Sequence, residues 1–329
     1  MRDAHRMDED DVRSRARGGS RRRTRDRPGF EQALPALVTT VDRGRCTCRL
    51  DDGTAVNAIR GADVRRTAVV VGDRVDLTGD ITGRTDTLAR IVRRAPRVTV
   101  LRRSPDDTDP AERPVVANAQ ILVAVVALAD PPPRTRMIDR VLVAAYDGGL
   151  TPVLCLTKAD LADPADLMRS YEPLGLTVIA LQPDADLAPL QGLLHGQTSV
   201  MFGHSGVGKS TLVNRLVPDA HRAIGHVNDV TGRGRHTSSS VILFDLPGGG
   251  HVIDTPGVRS FGLGLLSPAR VLAAFPDLRE GAEQCPPRCG HGVEDPDCHL
   301  DTWVAQGNAD AARLDSLRRL LASRESDEA

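Results

Sequence analysis

The octapeptide GHSGVGKS at residues 203–210 spaces Gly203, Gly208, Lys209 and Ser210 as G-x-x-x-x-G-K-[ST], the spacing by which a chain wraps a polyphosphate. In such a loop the backbone N–H groups of His204, Ser205, Gly206 and Val207 turn inward. With the start of the next helix at Thr211, they face the negative charge. The Ser210 hydroxyl suits Mg²⁺, and Lys209 reaches the β- and γ-phosphates as a compact point charge. A guanidinium is broader and planar, so arginine cannot stand in for it there. That difference matters in this chain, which has two lysines among 43 basic residues. The second lysine, Lys158 in TKAD (157–160), is therefore expected at the same site.

TKAD resembles the N/T-K-x-D guanine-reading motif of GTPases, with Thr157 where asparagine is commoner. The Asp160 carboxylate can accept two hydrogen bonds from guanine N1 and N2, which adenine cannot supply. The Lys158 stem would lie along the base plane. Downstream, HVIDTPG (251–257) resembles the D-x-x-G element: Asp254 would meet Mg²⁺ through water, and the Gly257 amide would sense the γ-phosphate. Between them lies TGRGRHTSSS, where Thr237 is the candidate Mg²⁺-binding threonine of a switch and His236 a candidate catalytic group. Guanine recognition usually comes last in a GTPase chain; here it comes first, as in a circular permutation. Permutation is tolerated where termini lie close together and the cuts fall in surface loops.

A second chemistry lies near the C-terminus. CPPRCGHGVEDPDC gathers Cys285, Cys289, His291 and Cys298, three thiols and one imidazole, the donor set of a closed tetrahedral Zn²⁺ site; His299 is the alternative imidazole. With no open position expected, the ion would be structural.

These motifs need elements to hold them. The apolar runs ILVAVVA (121–127), TPVLCLTKAD, LTVIALQ and TSVMFGHSGVGKS each end in polar or glycine-rich residues. They read as buried parallel strands alternating with helices, the first helix being RMIDRVLVAAYDGG (136–149). That pattern is a doubly wound α/β sheet, which places ligands at the carboxyl ends of its strands. Before it, residues 34–103 carry five short β-rich runs with a hairpin signal at Asp52-Gly53, the size of an OB-type barrel. The barrel lacks the aromatic residues that usually stack single-stranded bases. After it, ARLDSLRRLLASRE reads as an amphipathic helix through Leu314, Leu317, Leu320 and Leu321.

The expected architecture is thus multidomain α/β. An Arg-rich tail (1–33), polar enough to be disordered, precedes the barrel (34–103) and a linker (104–114). A circularly permuted GTPase domain (115–270) and a zinc-binding helical domain (271–329) complete the chain. The 329 residues allow for several such units, and the net charge of -1 excludes a uniformly basic nucleic-acid binder. The sequence has no run resembling a signal peptide and none of membrane-spanning length, so a cytoplasmic protein is expected. Its six cysteines are then expected as thiols.

Permuted order, a preceding barrel and the zinc cluster together, with GHSGVGKS, GRGRHT, PGGG and DTPG, resemble the ribosome small-subunit-dependent GTPase A family over residues 34–325. The resemblance implies GTP hydrolysis stimulated by the small ribosomal subunit. It further implies a role in late maturation of that subunit and contacts from barrel and zinc domain to rRNA. The chain departs from the family in two places: Cys285 and Cys289 enclose three residues where the family has four, and Gln182-Pro183 replaces a Ser-Ala pair. Val258 stands where many GTPases have a water-orienting glutamine, which leaves that task to His236 or to the ribosome and implies slow turnover alone. The readings left open by the residues alone are a phosphate-loop ATPase or kinase, which TKAD opposes, and a zinc-stabilised RNA-binding module.

Overall fold

In the barrel, strands β1 (Leu34–Asp42), β2 (Arg45–Leu50), β3 (Ala55–Arg60), β4 (Arg74–Gly79) and β5 (Ala89–Arg94) bury alternate residues, the two-residue period of strands with one face inward. The inner face includes Val38, Cys48, Ala58, Leu77 and Ile91. The computed structural model describes residues 32–325 apart from positions 43, 66, 85, 104–112, 219, 221–240, 256–267 and 296. By contact, Ala33–Ala329 form one unit, in which the barrel is joined to the rest of the chain.

A bulge in β1 between Val38 and Thr40 divides the work of that strand. Leu34 to Leu37 pair with β4 and help to close the barrel, whereas Thr40 pairs with Ile242 of a strand far along the chain. An extra residue bends a strand, which lets one strand serve two sheets. All six cysteines are free, and burial pushes the Cys46 thiol up to about 11. The linker expected at 104–114 begins between two paired strands: β6 (Val100–Arg103) is antiparallel to β7 (Arg113–Ala117), so Arg113 and Pro114 are strand residues.

The second sheet contains β8 (Ile121–Ala127), β9 (Thr151–Thr157), β10 (Thr177–Leu181), β11 (Thr198–Phe202), β12 (Ile242–Asp245) and β13 (His251–Asp254). Its order is β10-β9-β8-β11-β13-β12, parallel except for β12, and β12 joins β1, so that one sheet runs on into the barrel. Residues of the central strands are buried on both faces, as parallel strands between helix layers must be. Leu122, Leu154, Val200 and Ile253 pack with α1 (Thr135–Asp147); Val123, Val153, Met201 and Val252 face the other core, to which α3 (Ala188–Leu194) and α4 (Lys209–Leu216) contribute. α2 (Ala165–Tyr171) comes after β9.

The first of these cores extends past residue 270. α5 (Pro268–Leu272), α6 (Pro276–Ala282), α7 (His299–Ala305) and α8 (Ala311–Glu325), with Phe275 just before α6, contribute Val271, Leu272, Phe275, Leu278, Leu300, Leu314, Leu317, Leu320 and Leu321 to the cluster that contains α1. Two arginines of α8 reinforce the contact. Arg313 lies 5.3 Å from the Phe275 ring and Arg319 lies 4.9 Å from the Tyr171 ring, both within cation–π range. Arg319 also lies 3.4 Å from the buried carboxylate of Asp139, an ion pair without hydrogen-bond alignment, while the Tyr171 hydroxyl donates to Asp139 at 2.9 Å.

Candidate functional site

The phosphate loop grows from β11, the strand between β8 and β13. Gly203 stands just past its end at a point of closest approach: a Cβ there would lie 2.6 Å from the Val125 carbonyl oxygen and 2.9 Å from the Val207 side chain. Gly206 and Gly208 have φ of 84° and 86°, and Gly208 caps α4. Those are left-handed positions that favour glycine. Val207 is the loop's anchor, 4% exposed, while Ser205, Gly206, Ser210 and Thr211 are exposed. The sequence thus alternates residues that fix the loop with residues that present it.

Lys209 is 6% exposed. Its ammonium donates to the Asp254 carboxylate and to the Thr255 carbonyl, and the Thr255 hydroxyl donates to Met201 O at 2.7 Å. The register sets Met201 beside Asp254, so the end of β11 and the end of β13 are neighbours by backbone pairing. An anionic oxygen entering the loop would compete with Asp254 for this ammonium.

TKAD joins this loop from β9. The Thr157 hydroxyl donates to the Val207 carbonyl at 2.6 Å, and its oxygen lies 3.7 Å from where a Gly208 Cβ would stand. Lys158 takes a left-handed φ of 58° and its ammonium donates to the carbonyl of Asp130, itself at φ 46°. Side chains other than glycine, asparagine or aspartate rarely hold that conformation, and where they do the surroundings impose it. Asp160 is exposed, with the Ala159 amide tied to Leu181 O at 3.1 Å. The two lysines of the chain therefore belong to one region, linked through Thr157.

Two supports were not visible as motifs. Arg215, in the last turn of α4, donates to Pro183 O and Ala185 O at 2.7 and 2.5 Å, so the segment beginning Gln182-Pro183 is tethered to the helix after the phosphate loop. The second is a cavity of about 380 Å³ beside the loop, bordered by Arg134, Met137, His204 and Ser205. Burial, with the nearby Arg134 charge, lowers the His204 pKa, and His204 Nε2 has no hydrogen-bond partner among the described residues. Neither feature has a spacing signature, since each depends on side chains brought together by the sheet. His236, Thr237, Gly257 and Val258 lie outside the described residues.

Cys285, Cys289, His291 and Cys298 converge at the C-terminal end, one donor atom from each within 4.8 Å of the others. Cys298 Sγ is 3.8 Å from His291 Nδ1, close to the ligand-to-ligand edge of a tetrahedron with metal–sulfur bonds of about 2.3 Å. His291, rather than His299, supplies the imidazole. The three-residue gap between Cys285 and Cys289 does not prevent convergence. Burial raises the Cys289 and Cys298 thiols, so a cation that displaces their protons to solvent must supply the compensating charge. These four residues can hold a metal ion.

The RsgA GTPase family matches residues 94–264. The small ribosomal subunit biogenesis GTPase RsgA of Pseudomonas syringae pv. tomato is 40% identical over 266 residues, covering 78% of this chain and 75% of that protein. Its namesake from Pseudomonas aeruginosa is 39% identical over 265 residues, covering 78% and 76%. Among solved structures, YjeQ from Thermotoga maritima superposes with a TM-score of 0.65 at 25% identity, covering 89% of this chain and 99% of that one. YloQ, described as a circularly permuted GTPase, gives 0.62 at 22% identity, covering 91% and 97%.

Proposed function

The chain belongs to the RsgA GTPase family, and from that premise we propose that it hydrolyses GTP on the small ribosomal subunit, late in the maturation of that subunit. The observation that supports this reading best is the Thr157 bond to Val207, which ties the segment carrying Lys158 and Asp160 to the loop carrying Lys209. An ATPase would have no use for Asp160 in that place.

In this reading Asp160 accepts from guanine N1 and N2, Lys158 lies along the base, and Gly203 to Thr211 enclose the phosphates with their amides. Water attacks the γ-phosphorus, the bond to the β–γ bridging oxygen breaks, and GDP and phosphate leave. Lys209 stabilises the charge that develops on the phosphoryl oxygens, and the Gly257 amide faces the γ-phosphate. Ser210 and Thr237, with Asp254 through water, would hold Mg²⁺, which would supply further positive charge to the phosphates when bound. Val258 cannot orient water because its side chain has no polar atom. His236, next to the switch threonine, takes that task, and turnover without the subunit is slow.

The ion at Cys285, Cys289, His291 and Cys298 is zinc in a structural role, given three thiolates, one imidazole and no open position. The barrel and the zinc region contact rRNA, with guanidinium groups binding phosphates in a salt-dependent way. The protein acts as a cytoplasmic monomer; among the described residues no helix is long and apolar enough to cross a membrane.

The deciding experiment measures hydrolysis of GTP and ATP by the purified chain alone, with small subunits and with large subunits. GTP-selective stimulation by small subunits alone is expected. Equal turnover in every case, or a preference for ATP, would refute the assignment. His236→Ala should abolish the stimulation and leave nucleotide affinity unchanged; full stimulation in that variant removes its role.

A further inference from the structure

Thr40, Ile242 and Asp254 stand in one row across three strands. The ladder sets Thr40 of β1 opposite Ile242 of β12, and Ile242 opposite Asp254 of β13. The main chain of Asp254, whose carboxylate pairs with Lys209, is therefore two strand spacings, about 10 Å, from that of the barrel. At the other end of the four-residue β12, the Asp245 carboxylate accepts from Arg49 of β2 and lies 2.9 Å from Nδ1 of His251, the first residue of β13. β12 is thus held to the barrel at both ends, by backbone at its start and by a charged pair at its finish.

We propose that this seam couples the barrel to the phosphate site: a partner that loads the barrel changes the position of Asp254, and phosphate at Lys209 changes the barrel's affinity for that partner. Coupling requires an element with two arrangements that both sites bias. The end of β13 is such an element, because phosphate oxygens and the Asp254 carboxylate compete for the Lys209 ammonium. When phosphate takes the ammonium, Asp254 turns to the cation, and the shift passes to Ile242 and Thr40 through their shared hydrogen-bond ladder. The β1 bulge keeps the barrel from absorbing it, since the residues before the bulge are fixed on β4. By linkage the effect is reciprocal.

Arg49 and Asp245 are positioning residues here; they touch no nucleotide. Their side chains are 25% and 61% exposed, and an ion pair that open to water adds little to stability. Its loss should leave the fold and the nucleotide site intact. The inference that the barrel's load is the small subunit rests on the function proposed above, so the test has one arm that does not need it.

The full chain is compared with Arg49→Ala, Asp245→Ala and the charge-swapped Arg49→Asp/Asp245→Arg. Each is assayed for turnover alone, affinity for a fluorescent GDP, and stimulation by purified small subunits. Hydrogen exchange over residues 34–50 is measured with GDP and with a non-hydrolysable GTP analogue. The single variants should keep turnover and GDP affinity within about twofold, and lose about fivefold or more of the stimulation. They should also lose the nucleotide-dependent difference in exchange at β1, and the swap should recover both. Undiminished stimulation with an unchanged exchange difference in the single variants overturns the proposal. If the unaltered chain is not stimulated by small subunits, the partner assignment fails and exchange alone decides. A β1 difference between the two nucleotides that vanishes in the single variants then supports the seam, and no difference in the unaltered chain refutes it.

Discussion

Thr157→Val is the perturbation that tests most directly how the base-reading and phosphate-binding motifs work together. Valine keeps the shape of threonine and removes one hydroxyl. That hydroxyl has a single proton, and at 2.6 Å from Val207 O against 3.3 Å from Val126 O it is committed to the phosphate loop. Thr157 is 9% exposed, so water cannot readily replace the donor. Leaving a buried carbonyl unpaired costs about 1–3 kcal/mol. The Val207 peptide can recover part of this by turning outward, which misdirects the neighbouring amides that must meet phosphate. Nucleotide binding then has to restore the loop, and the cost is taken from affinity. At about 1.4 kcal/mol per tenfold, the dissociation constants for GDP and GTP should rise by about 5- to 150-fold. The assay is titration of a fluorescent GDP, with thermal unfolding of the same samples. Thr157→Ser, which restores the hydroxyl, should recover most of the affinity. An affinity within twofold of the original in Thr157→Val, with the melting temperature lowered, would show that the hydroxyl merely satisfies the core and that the link between the motifs is unimportant.

The same geometry sets other outcomes. Gly203→Ala places a methyl 2.6 Å from Val125 O, so nucleotide binding should be lost and stability should fall by about 1–3 kcal/mol, read by titration and urea unfolding. Purified protein should contain one metal ion per chain, measured by elemental analysis. Cys298→Ser should lose it together with roughly 3 kcal/mol of stability, yet α8 should stay folded because its leucines belong to the central core. Asp139 is raised from its ordinary value first of all by burial, with Arg319 and Tyr171 opposing. A carboxyl raised on folding contributes stability that is complete below its unfolded value and is lost as pH rises through the folded value. As pH rises above the ordinary aspartate value of about 4, stability of the unaltered chain should carry that downward component, and Asp139→Asn, which still accepts from Tyr171, should remove it. Identical slopes in urea unfolding would rule the group out.

What could be read from the sequence was whatever is local. The strand Thr198–Phe202 and the glycine spacing after it were legible because alternation, close approach and left-handed φ are properties of consecutive residues. The amphipathic helix at Leu314 to Leu321 was legible for the same reason. Pairings across long chain separations were not. Nothing in TKAD announces that Thr157 will find Val207, and nothing in SPDDTDPAERP announces that Arg113 and Pro114 will pair with Arg103 and Arg102. The short helices α5 to α7 carry too few residues for a period to emerge. Their apolar side chains count towards a core whose other half is α1, more than a hundred residues earlier. The metal cluster was legible as a donor set that named His291 with His299 as the alternative, and the convergence of the four side chains in space sets His299 aside.

The pairing of β1 with β12 has one further consequence. An outermost strand offers a row of unsatisfied amides and carbonyls to any other chain, and proteins guard such rows against self-association. In this sheet β12 would be outermost if the barrel were absent; instead Thr40 meets its first residue and Arg49 closes over its last. The barrel is therefore also a guard for the nucleotide-binding sheet. A chain beginning at residue 104 would not be a smaller version of the same protein but one with an adhesive margin beside its phosphate site, prone to stack with copies of itself.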